Sequence, residues 1–498
     1  MRPFSLPADW PEPPVYFAGR GDFRPVPILL FLNNGLKELT MKKPNVIVFF
    51  TDQQRWDTMG LHGNPMGLTP NLDAYALRGT FCVQAVTCQP VCGPARSCLQ
   101  TGQYASQTEV WRNGPALHDN AVTLAHCFGD AGYSTSYIGK WHLGGPESSR
   151  GPVPEARRGG YERWLAANTL ELVSGPYSTT LWNEEGNEVH LPGYRVDAMT
   201  DEAIRQIDQA AKSDQPQFLF ISYLEPHHQN TDDSYPAPRF VEEQFRGGWM
   251  PPDLRMLGGS SHAHWPGYCG MVKRLDEAYG RIMDAIHSLN SDRETIVCFI
   301  SDHDCHFKTR NDEYKRTCHE SSVRIPLVFS GGPFEAGGRI EHPTSLVDVP
   351  ATLLDAAGIE VPASMSGKSI LSLIKRAASD WPEEAFIQFG DEYVRTGRAL
   401  RTSRWKYAVS IPADNEPAPF SDTYVETHLY DLQGDPYETQ NLATNPVHCD
   451  VRSKFRERLL HWMNEVGEPP CQIQKAEEGH AGQRTVEYPD ARKHDLGC

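Results

Sequence analysis

Residues 45–54 read NVIVFFTDQQ, a nearly continuous apolar run that ends abruptly in polar side chains. The same pattern recurs at 133-YSTSYIG-139 before Lys-Trp-His, at 217-QFLFISYL-224 before Glu-Pro-His-His, and at 295-TIVCFIS-301 before Asp-His-Asp. Runs of this composition are typical of central strands that are covered on both faces. The sequence therefore predicts four buried strands, each followed directly by polar groups.

Amphipathic segments between these runs predict helices. Residues 200–213 repeat apolar side chains at helical spacing, and we predict that Thr200 caps this helix; residues 268–289 carry a second apolar stripe. Strands that alternate with helices predict an α/β fold with a large mixed, mainly parallel sheet flanked by helices. Ligands bind beyond the carboxyl ends of the strands in such sheets. The polar groups after the apolar runs are therefore candidates for a functional site.

The chain divides into three predicted regions. Residues 1–40 are Pro-rich and lack periodicity, and we expect them to be an N-terminal extension because 41-MKKPNVIVFF-50 is typical of a chain start. Residues 41–375 form the large α/β domain. Residues 376–498 contain a helix near 449–466, a charged tail and strand-like segments at 385–390, 404–410 and 427–432, which predicts a smaller C-terminal antiparallel sheet with one helix.

Composition excludes several classes of function. The formal net charge of the 498 residues is −17, which argues against a nucleic-acid or anionic-membrane partner. No run approaches the roughly 18 apolar residues of a membrane-spanning helix, and 26-VPILLFL-32 lacks the cleavage site of a secretion signal. The twelve cysteines are scattered, which predicts reduced thiols and a cytoplasmic protein. A homo-oligomer is compatible with these properties.

Two of the strand ends carry groups that suit a metal. Asp52 and Gln53 follow the first run, and Asp302 and His303 follow the last. Neighbouring parallel strands would bring both ends together, and a mixed oxygen and nitrogen set suits calcium, magnesium or manganese better than a thiolate zinc site. The alternative for a single aspartate after a strand is a helix cap or an Asx turn.

Positively charged and basic side chains occur near the other strand ends. For any one of them, solvation at the surface is the default interpretation. Their position at strand ends nevertheless favours an anion site, in which a cation and basic groups polarise a tetrahedral oxyanion ester. The candidates are Arg96, Lys140, His142, His227 and Lys315.

A cysteine cluster lies in 88-CQPVCGPARSCLQTG-102. Its spacing lacks the paired C-x2-C elements of a zinc knuckle. Pro94 suits the first turn of a helix, which places Cys92 near the helix N-terminus, where partial positive charge stabilises an anion. From these features alone, Cys92 is either a nucleophile or a buried structural thiol.

The motif Cys92-Gly-Pro94-Ala95-Arg96, followed by Thr101-Gly102, resembles the C-x-P-[SA]-R-x-x-x-x-T-G signature of type I sulfatases in the alkaline phosphatase superfamily. The resemblance extends over roughly residues 43–466 in the family's order. Further matching segments are 50-FTDQQRWD-57, 138-IGKWHLG-144, 225-EPHH-228, 301-SDHD-304, 315-KRTCHESSVRIPL-327, 346-LVDVPATLLDAAGI-359 and 429-LYDLQGDPYETQNLA-443. It implies a sulfatase catalytic domain over residues 41–375 and hydrolysis of an aryl or carbohydrate sulfate.

In that family the signature cysteine is converted to Cα-formylglycine by a maturase, so the resemblance implies that Cys92 is a precursor. One hydroxyl of the hydrated aldehyde attacks sulfur, and loss of the proton from the second expels sulfate. The implied metal shell, with calcium as the first choice and manganese or magnesium as alternatives, is Asp52, Gln53, Asp302, His303 and the formylglycine from Cys92.

The remaining roles are also implied by the resemblance. Arg96 would hold the formylglycine, and Lys140 and Lys315 would bind sulfate oxygens. His142 would orient or deprotonate the gem-diol, and His227 would protonate the leaving oxygen.

The chain departs from the usual family pattern at several positions. Gln53 stands where many relatives have aspartate, and His303 stands where many have asparagine. These variants resemble a branch that includes phosphonate monoester and phosphodiester hydrolases, which are the alternative activity. A non-catalytic binding protein with this scaffold is the alternative from another class. Asp304 replaces a glycine and either reshapes the loop or adds a carboxylate, and His319 replaces a tyrosine of the pocket wall.

Overall fold

A computed structural model of the protein describes residues 42–289, 294–335, 337–375 and 380–476. Within these residues, ten strands form one large sheet in the order β10-β2-β9-β8-β1-β7-β3-β4-β5-β6. Their bounds are β1 Asn45–Thr51, β2 Thr80–Val86, β3 Ser134–Lys140, β4 Arg163–Ala167, β5 Ser178–Trp182, β6 Glu188–Pro192, β7 Gln217–Ser222, β8 Thr295–Ser301, β9 Leu327–Ser330 and β10 Gly338–Ser345. The central strands β8, β1, β7, β3 and β4 are parallel, whereas β9, β5 and β6 pair antiparallel. The predicted large, mixed, mainly parallel sheet is confirmed.

Helices cover the sheet. They are α1 Pro70–Arg78, α2 Cys92–Thr101, α3 Ala105–Thr108, α4 Leu124–Asp130, α5 Leu170–Val173, α6 Arg195–Ala211, α7 Pro252–Met256, α8 Ser261–Ser288, α9 Glu320–Val323, α10 Asp348–Ala356, α11 Leu371–Ile374 and α12 Cys449–Glu465. Successive side chains of β1 point to opposite faces. Val46 and Val48 accordingly share a hydrophobic cluster with residues of α2, α4 and α10, whereas Ile47 and Phe49 share one with residues of α1, α6 and α8. Because β1 is buried on both faces, its end can hold polar groups away from bulk water.

The smaller sheet contains β11 Glu384–Phe389, β12 Gly397–Thr402, β13 Trp405–Ser410, β14 Thr423–Asp431 and β15 Gln472–Gln474. Strands β11 to β14 are antiparallel, and β15 pairs parallel with β14. The smaller sheet with one long helix, α12, agrees with the prediction for the C-terminal region. Phe386 of β11 and Leu459 of α12 belong to the same hydrophobic cluster as Val46 of the large sheet.

The predicted start of α6 is wrong. The helix begins at Arg195 rather than after Thr200, and the hydroxyl of Thr200 donates a hydrogen bond to the carbonyl oxygen of Val196 inside the helix. Val196 and Met199 are fully buried, so packing against the sheet extends the helix beyond the residue that resembles a cap. Helix α8 also begins earlier than predicted, at Ser261.

Several expectations concern parts of the chain that the structure does not describe. The predicted N-terminal extension over residues 1–40 and the end of the charged tail lie outside the described residues, and the boundary at residue 375 stays a prediction. The eleven cysteines within the described ranges are free thiols. None of the helices in those ranges is long and apolar enough to cross a membrane.

Gly139 allows the close approach of β3 and β7 that places Lys140. Its φ is +105°, and a Cβ atom there would lie 2.0 Å from the carbonyl oxygen of Ser222. We expect Gly139→Ala to lower the free energy of unfolding by about 2–4 kcal/mol, because both the backbone conformation and the contact become unfavourable. Chemical denaturation followed by circular dichroism measures this change.

Gly129 provides the matched control. It lies inside α4, and an added Cβ would meet no atom within 4 Å. Gly129→Ala should therefore leave the stability unchanged or raise it by up to about 1 kcal/mol. Equal losses in the two variants would contradict the assignment of Gly139.

Candidate active site

The strand register brings two aspartates side by side at the carboxyl edge of the large sheet. Thr51 of β1 pairs with Ser301 of β8, so Asp52 and Asp302 follow at the same level. Asp302 Oδ1 accepts hydrogen bonds from the backbone amides of Gln53 at 2.9 Å and His303 at 2.9 Å. Gln53 has a φ of +68°, an unfavourable conformation for a residue with a side chain, and functional sites often contain such residues. The turn thus fixes the Asp302 carboxylate beside Asp52.

Four buried side chains form a potential metal-binding group. One ligand atom from each of Asp52, Cys92, Asp302 and His303 lies within 4.8 Å of the other three. The sulfur of Cys92 lies 3.5 Å from Asp52 Oδ1 and 3.3 Å from His303 Nε2. His303 Nδ1 lies 3.0 Å from the carbonyl oxygen of Asp304 and donates to it, while Nε2 faces the group and lies 3.1 Å from Lys315 Nζ.

This donor set fits a hard divalent cation. Asp302 Oδ2 is buried and accepts no hydrogen bond from the described residues. Burial and the neighbouring charge of Asp52 raise the pKa of Asp302. Burial also acts to raise the pKa of Asp52, but the positive charges of Lys140, His227 and Arg96 outweigh it and lower that pKa. A cation would relieve the repulsion between the two carboxylates, so the predicted metal residues are brought together in a suitable arrangement.

Gln53 is also placed beside this group. Its amide nitrogen donates to the hydroxyl of Tyr235 and to the sulfur of Cys305, both at 3.3 Å. Its amide oxygen lies 3.4 Å from Lys315 Nζ, on the side of the site. The oxygen is thereby presented as a neutral donor next to the carboxylates.

Helix α2 places Cys92 at its first residue, with Val91 as the N-cap. Every residue of α2 is buried, and Cys92 is 1% exposed. Burial acts to raise the pKa of the thiol, but the charges of Lys140 and Lys315 lower it well below its ordinary value. The site therefore stabilises negative charge at position 92. Cys88 and Cys98 belong to the hydrophobic core.

Three cationic side chains surround the group. Arg96 donates to Asp52 Oδ2 at 2.9 Å and to the carbonyl oxygen of Lys140 at 2.8 Å. Lys140 Nζ lies 2.8 Å from the same Asp52 oxygen; burial acts to lower the pKa of Lys140, but the charges of Asp52 and Cys92 outweigh it and raise that pKa. Lys315 Nζ lies 2.8 Å from the sulfur of Cys92. The predicted anion-binding residues thus lie around Asp52 and Cys92.

Both predicted histidines join this arrangement. His227 Nδ1 lies 2.7 Å from the carbonyl oxygen of His228 and donates to it, and its Nε2 lies 3.3 Å from Lys315 Nζ. Although burial acts to raise the pKa of the Cys92 thiol, His142 adds to the effect of the lysines that lower it. The φ of His142 is +63°, and its backbone N–H donates to the carbonyl oxygen of Asn168 at 2.8 Å. The turn after β3 therefore directs His142 toward the same point as Lys140.

The structure shows the contacts of Asp304 and His319, the two residues that depart from the family pattern without an assigned role. Asp304 belongs to a different cluster, where its carboxylate accepts from the backbone amides of Cys305 and Trp56 and lies 3.9 Å from Arg55. It adds no ligand to the group around Cys92. His319 hydrogen-bonds to the side chains of Thr317 and Tyr430 at 3.0 Å each, and so links the site loop to β14.

Glu171 is the site residue that sequence reasoning missed. It lies in the short helix α5 after β4, is 7% exposed, and places Oε1 3.1 Å from Lys140 Nζ. The segment around Glu171 has no composition or periodicity that would indicate this contact. Only the folded structure, in which Glu171 meets Lys140 at the end of β3, reveals it.

Comparisons with known proteins agree with this geometry. The family model described as Sulfatase matches residues 44–359, and the model described as N-sulphoglucosamine sulphohydrolase, C-terminal, matches residues 312–465. An ulvan-active sulfatase from Formosa agariphila is 28% identical over 439 residues, which cover 86% of this chain and 82% of that protein.

Solved structures share the fold. A Bacteroides fragilis protein assigned as a sulfatase superposes with a TM-score of 0.75 at 24% identity, covering 87% of this chain and 98% of that one. The phosphonate monoester hydrolase of Agrobacterium radiobacter superposes with a TM-score of 0.63 at 20% identity, covering 85% and 96%. The fold is thus common to both activities and does not distinguish them.

Asp302→Ala should weaken the binding of Ca²⁺ by at least about 100-fold, because one of two carboxylates in the group is lost. Isothermal titration of the metal-free folded protein with Ca²⁺ measures the affinity. Asp304→Asn is the control, since the carboxylate of Asp304 faces Arg55. An equal loss of affinity in both variants would show that the cation binds elsewhere.

Proposed function

The chain belongs to the sulfatase family, and we propose that it hydrolyses an aryl or carbohydrate sulfate ester at the site around Cys92. The observation that carries this proposal is the convergence on one sulfur atom of a lysine at 2.8 Å, an imidazole at 3.3 Å and a carboxylate at 3.5 Å. Bases, a metal-ligand set and a nucleophile precursor meet there, as hydrolysis of an anionic ester requires.

Two groups complete the site. Formylglycine at position 92 would supply a hydrated aldehyde with one hydroxyl to attack sulfur and a second to release sulfate. Asp52, Gln53, Asp302 and His303 would hold a divalent cation together with position 92. When bound, that cation would polarise the sulfate oxygens, and the oxygen-rich ligand set favours calcium.

The side chains of this protein would then divide the remaining tasks. Lys140, which binds Asp52, and Lys315, which contacts the sulfur of Cys92, would each bind a sulfate oxygen and stabilise the charge that develops in the transition state. Arg96 fixes Asp52 and the end of β3 through its hydrogen bonds. His142, which follows β3 two residues after Lys140, would accept a proton from the hydroxyl at position 92. His227 would donate a proton to the leaving oxygen, since its Nε2 faces the same space.

Maturation forms part of the proposal. A formylglycine-generating enzyme would have to reach Cys92, yet Cys92 and the whole of α2 are buried in the folded protein. The conversion therefore takes place before the site closes. The cytoplasmic location and the assembly into oligomers stay predictions.

A sulfated saccharide is the favoured substrate class. The family model over residues 312–465 is named for a sulfated amino sugar hydrolase, and the relative from Formosa agariphila is an ulvan-active sulfatase. The phosphonate alternative rests on Gln53 and His303 and on a shared fold, and it is not favoured.

Cys92→Ala should abolish hydrolysis of 4-nitrophenyl sulfate, because alanine cannot become an aldehyde. In the active wild type, the peptide that spans residue 92 should have the mass of formylglycine instead of cysteine, and the protein should turn over the sulfate faster than a 4-nitrophenyl phosphonate monoester. Cys98→Ala serves as the control because it is a core residue of the same helix. An unmodified thiol in a fully active preparation would disprove the mechanism, and a faster phosphonate reaction would disprove the substrate assignment.

His227→Ala should slow the release of a poor leaving group much more than that of a good one. An alkyl or sugar alkoxide needs a proton as the bond to sulfur breaks, whereas nitrophenolate does not. We expect a loss of about 10²–10⁴-fold in kcat for a saccharide sulfate and a clearly smaller loss for 4-nitrophenyl sulfate. His228→Ala, next along the chain, is the control. Losses of the same size with both substrates would exclude His227 as the general acid.

A further inference from the structure

Glu171 is an acidic side chain inside a site that otherwise attracts anions. Its Oε1 lies 3.1 Å from Lys140 Nζ, and both side chains are buried. Its second oxygen, Oε2, is buried and accepts no hydrogen bond from any described residue. A buried carboxylate is costly unless it is paired, so its presence beside the proposed sulfate site requires an explanation.

Lys140 is shared between two carboxylates. Asp52 Oδ2 lies 2.8 Å from Lys140 Nζ on one side, and Glu171 lies on the other. Arg96 binds the same oxygen of Asp52 at 2.9 Å. Arg96 also lies 3.4 Å from Asp302 Oδ2, so both cations are paired with carboxylates before any substrate enters. Without Glu171, this part of the pocket would hold one more unit of positive charge.

The influence of Glu171 extends beyond Lys140. The charges of Lys140, His142 and His227 outweigh the effect of burial and lower the pKa of Glu171, so the carboxylate is ionised at neutral pH. These are the residues proposed to bind the oxyanion and to move protons. Glu171 therefore acts on the charge of the pocket at the place where the ester group would sit.

Charge distinguishes a sulfate monoester from a phosphate monoester, which has nearly the same shape. A sulfate monoester carries one negative charge, whereas a phosphate monoester carries nearly two above pH 7, because its second pKa is about 6. Both have three terminal oxygens in a tetrahedral arrangement, so shape separates them poorly. A fixed negative charge repels the doubly charged ester more strongly than the singly charged one.

We propose that Glu171 is a specificity-determining residue that lowers the charge of the oxyanion pocket and thereby selects sulfate monoesters over phosphate monoesters. This inference rests on the proposed function, since it concerns the substrate preference of the same site. It assigns Glu171 no contact with the reacting atoms; the residue acts through Lys140 and through its field.

The first experiment compares kcat/KM for 4-nitrophenyl sulfate and 4-nitrophenyl phosphate at pH 8 in the metal-loaded, matured enzyme. Glu171→Gln keeps an oxygen for Lys140 and removes only the charge. The ratio of phosphate to sulfate activity should rise about tenfold, as expected for the loss of one charge a few ångströms from the ester in a partly buried site. Glu171→Asp retains the charge and should keep the wild-type ratio.

A second measurement needs no turnover. Isothermal titration with inorganic sulfate, a dianion, and with methanesulfonate, a monoanion of similar shape, reports the charge preference directly. In Glu171→Gln the affinity for sulfate should rise about tenfold relative to that for methanesulfonate. If the wild type hydrolyses neither ester, the proposed function fails, and these affinities still decide the inference.

The control is Glu468→Gln. Glu468 is also a buried glutamate paired with a base, Arg398 at 2.7 Å, but it belongs to the region of the smaller sheet. It should lower stability without changing either ratio. Glu171→Ser removes the charge with a smaller side chain and decides the question alone if the glutamine variant does not fold. Unchanged ratios in the folded neutral variants, or the same shift in Glu468→Gln, would overturn the proposal.

Discussion

The site depends on the carboxylate of Asp52. One of its oxygens, Oδ2, binds both Arg96 at 2.9 Å and Lys140 at 2.8 Å, while the other faces Cys92 and His303. Asp52 is completely buried, so these charges would be very costly if any partner were missing. The strand ends, the first turn of α2 and the turn after β3 are all tied to this one side chain. A change at Asp52 would therefore uncouple elements that are distant in the chain.

Burial on both faces of the sheet makes this network possible. Helices α1, α6 and α8 cover one face of β1, and α2 and α4 cover the other. The carboxyl end of β1 therefore opens into a space from which bulk water is largely excluded. Electrostatic interactions are stronger in such a space than in water. The same lysines and arginine on an exposed surface would contribute little. The fold thus converts an ordinary set of charged residues into one that can stabilise a developing negative charge.

Much of this arrangement could be predicted from the sequence, and the exceptions have physical reasons. Asp52 and Asp302 each follow an apolar run directly, and parallel strands end at the same edge of the sheet. This pattern predicts that the two side chains meet. Strand β12 was not predicted, because its Arg398 and Arg401 resemble surface residues until Glu468 and Glu320 are seen to pair with them. Those partners lie 70 and 81 positions away in the chain. Local composition cannot reveal such contacts, and the same limitation concealed Glu171.

The direction of a side chain is likewise set by its partners and not by its position in a motif. Asp302 and Asp304 are separated by one residue, yet they belong to different clusters. The turn amides of Gln53 and His303 hold Asp302 toward Asp52, whereas the amides of Cys305 and Trp56 hold Asp304 toward Arg55. If both carboxylates faced the same space, a third negative charge would lie beside Asp52 and weaken the attraction for an anionic ester. Directing Asp304 to Arg55 allows the loop to carry an extra acid without that cost. Glu171 is then the additional carboxylate that does act on the pocket, from the side of Lys140 rather than from the side of the metal ligands.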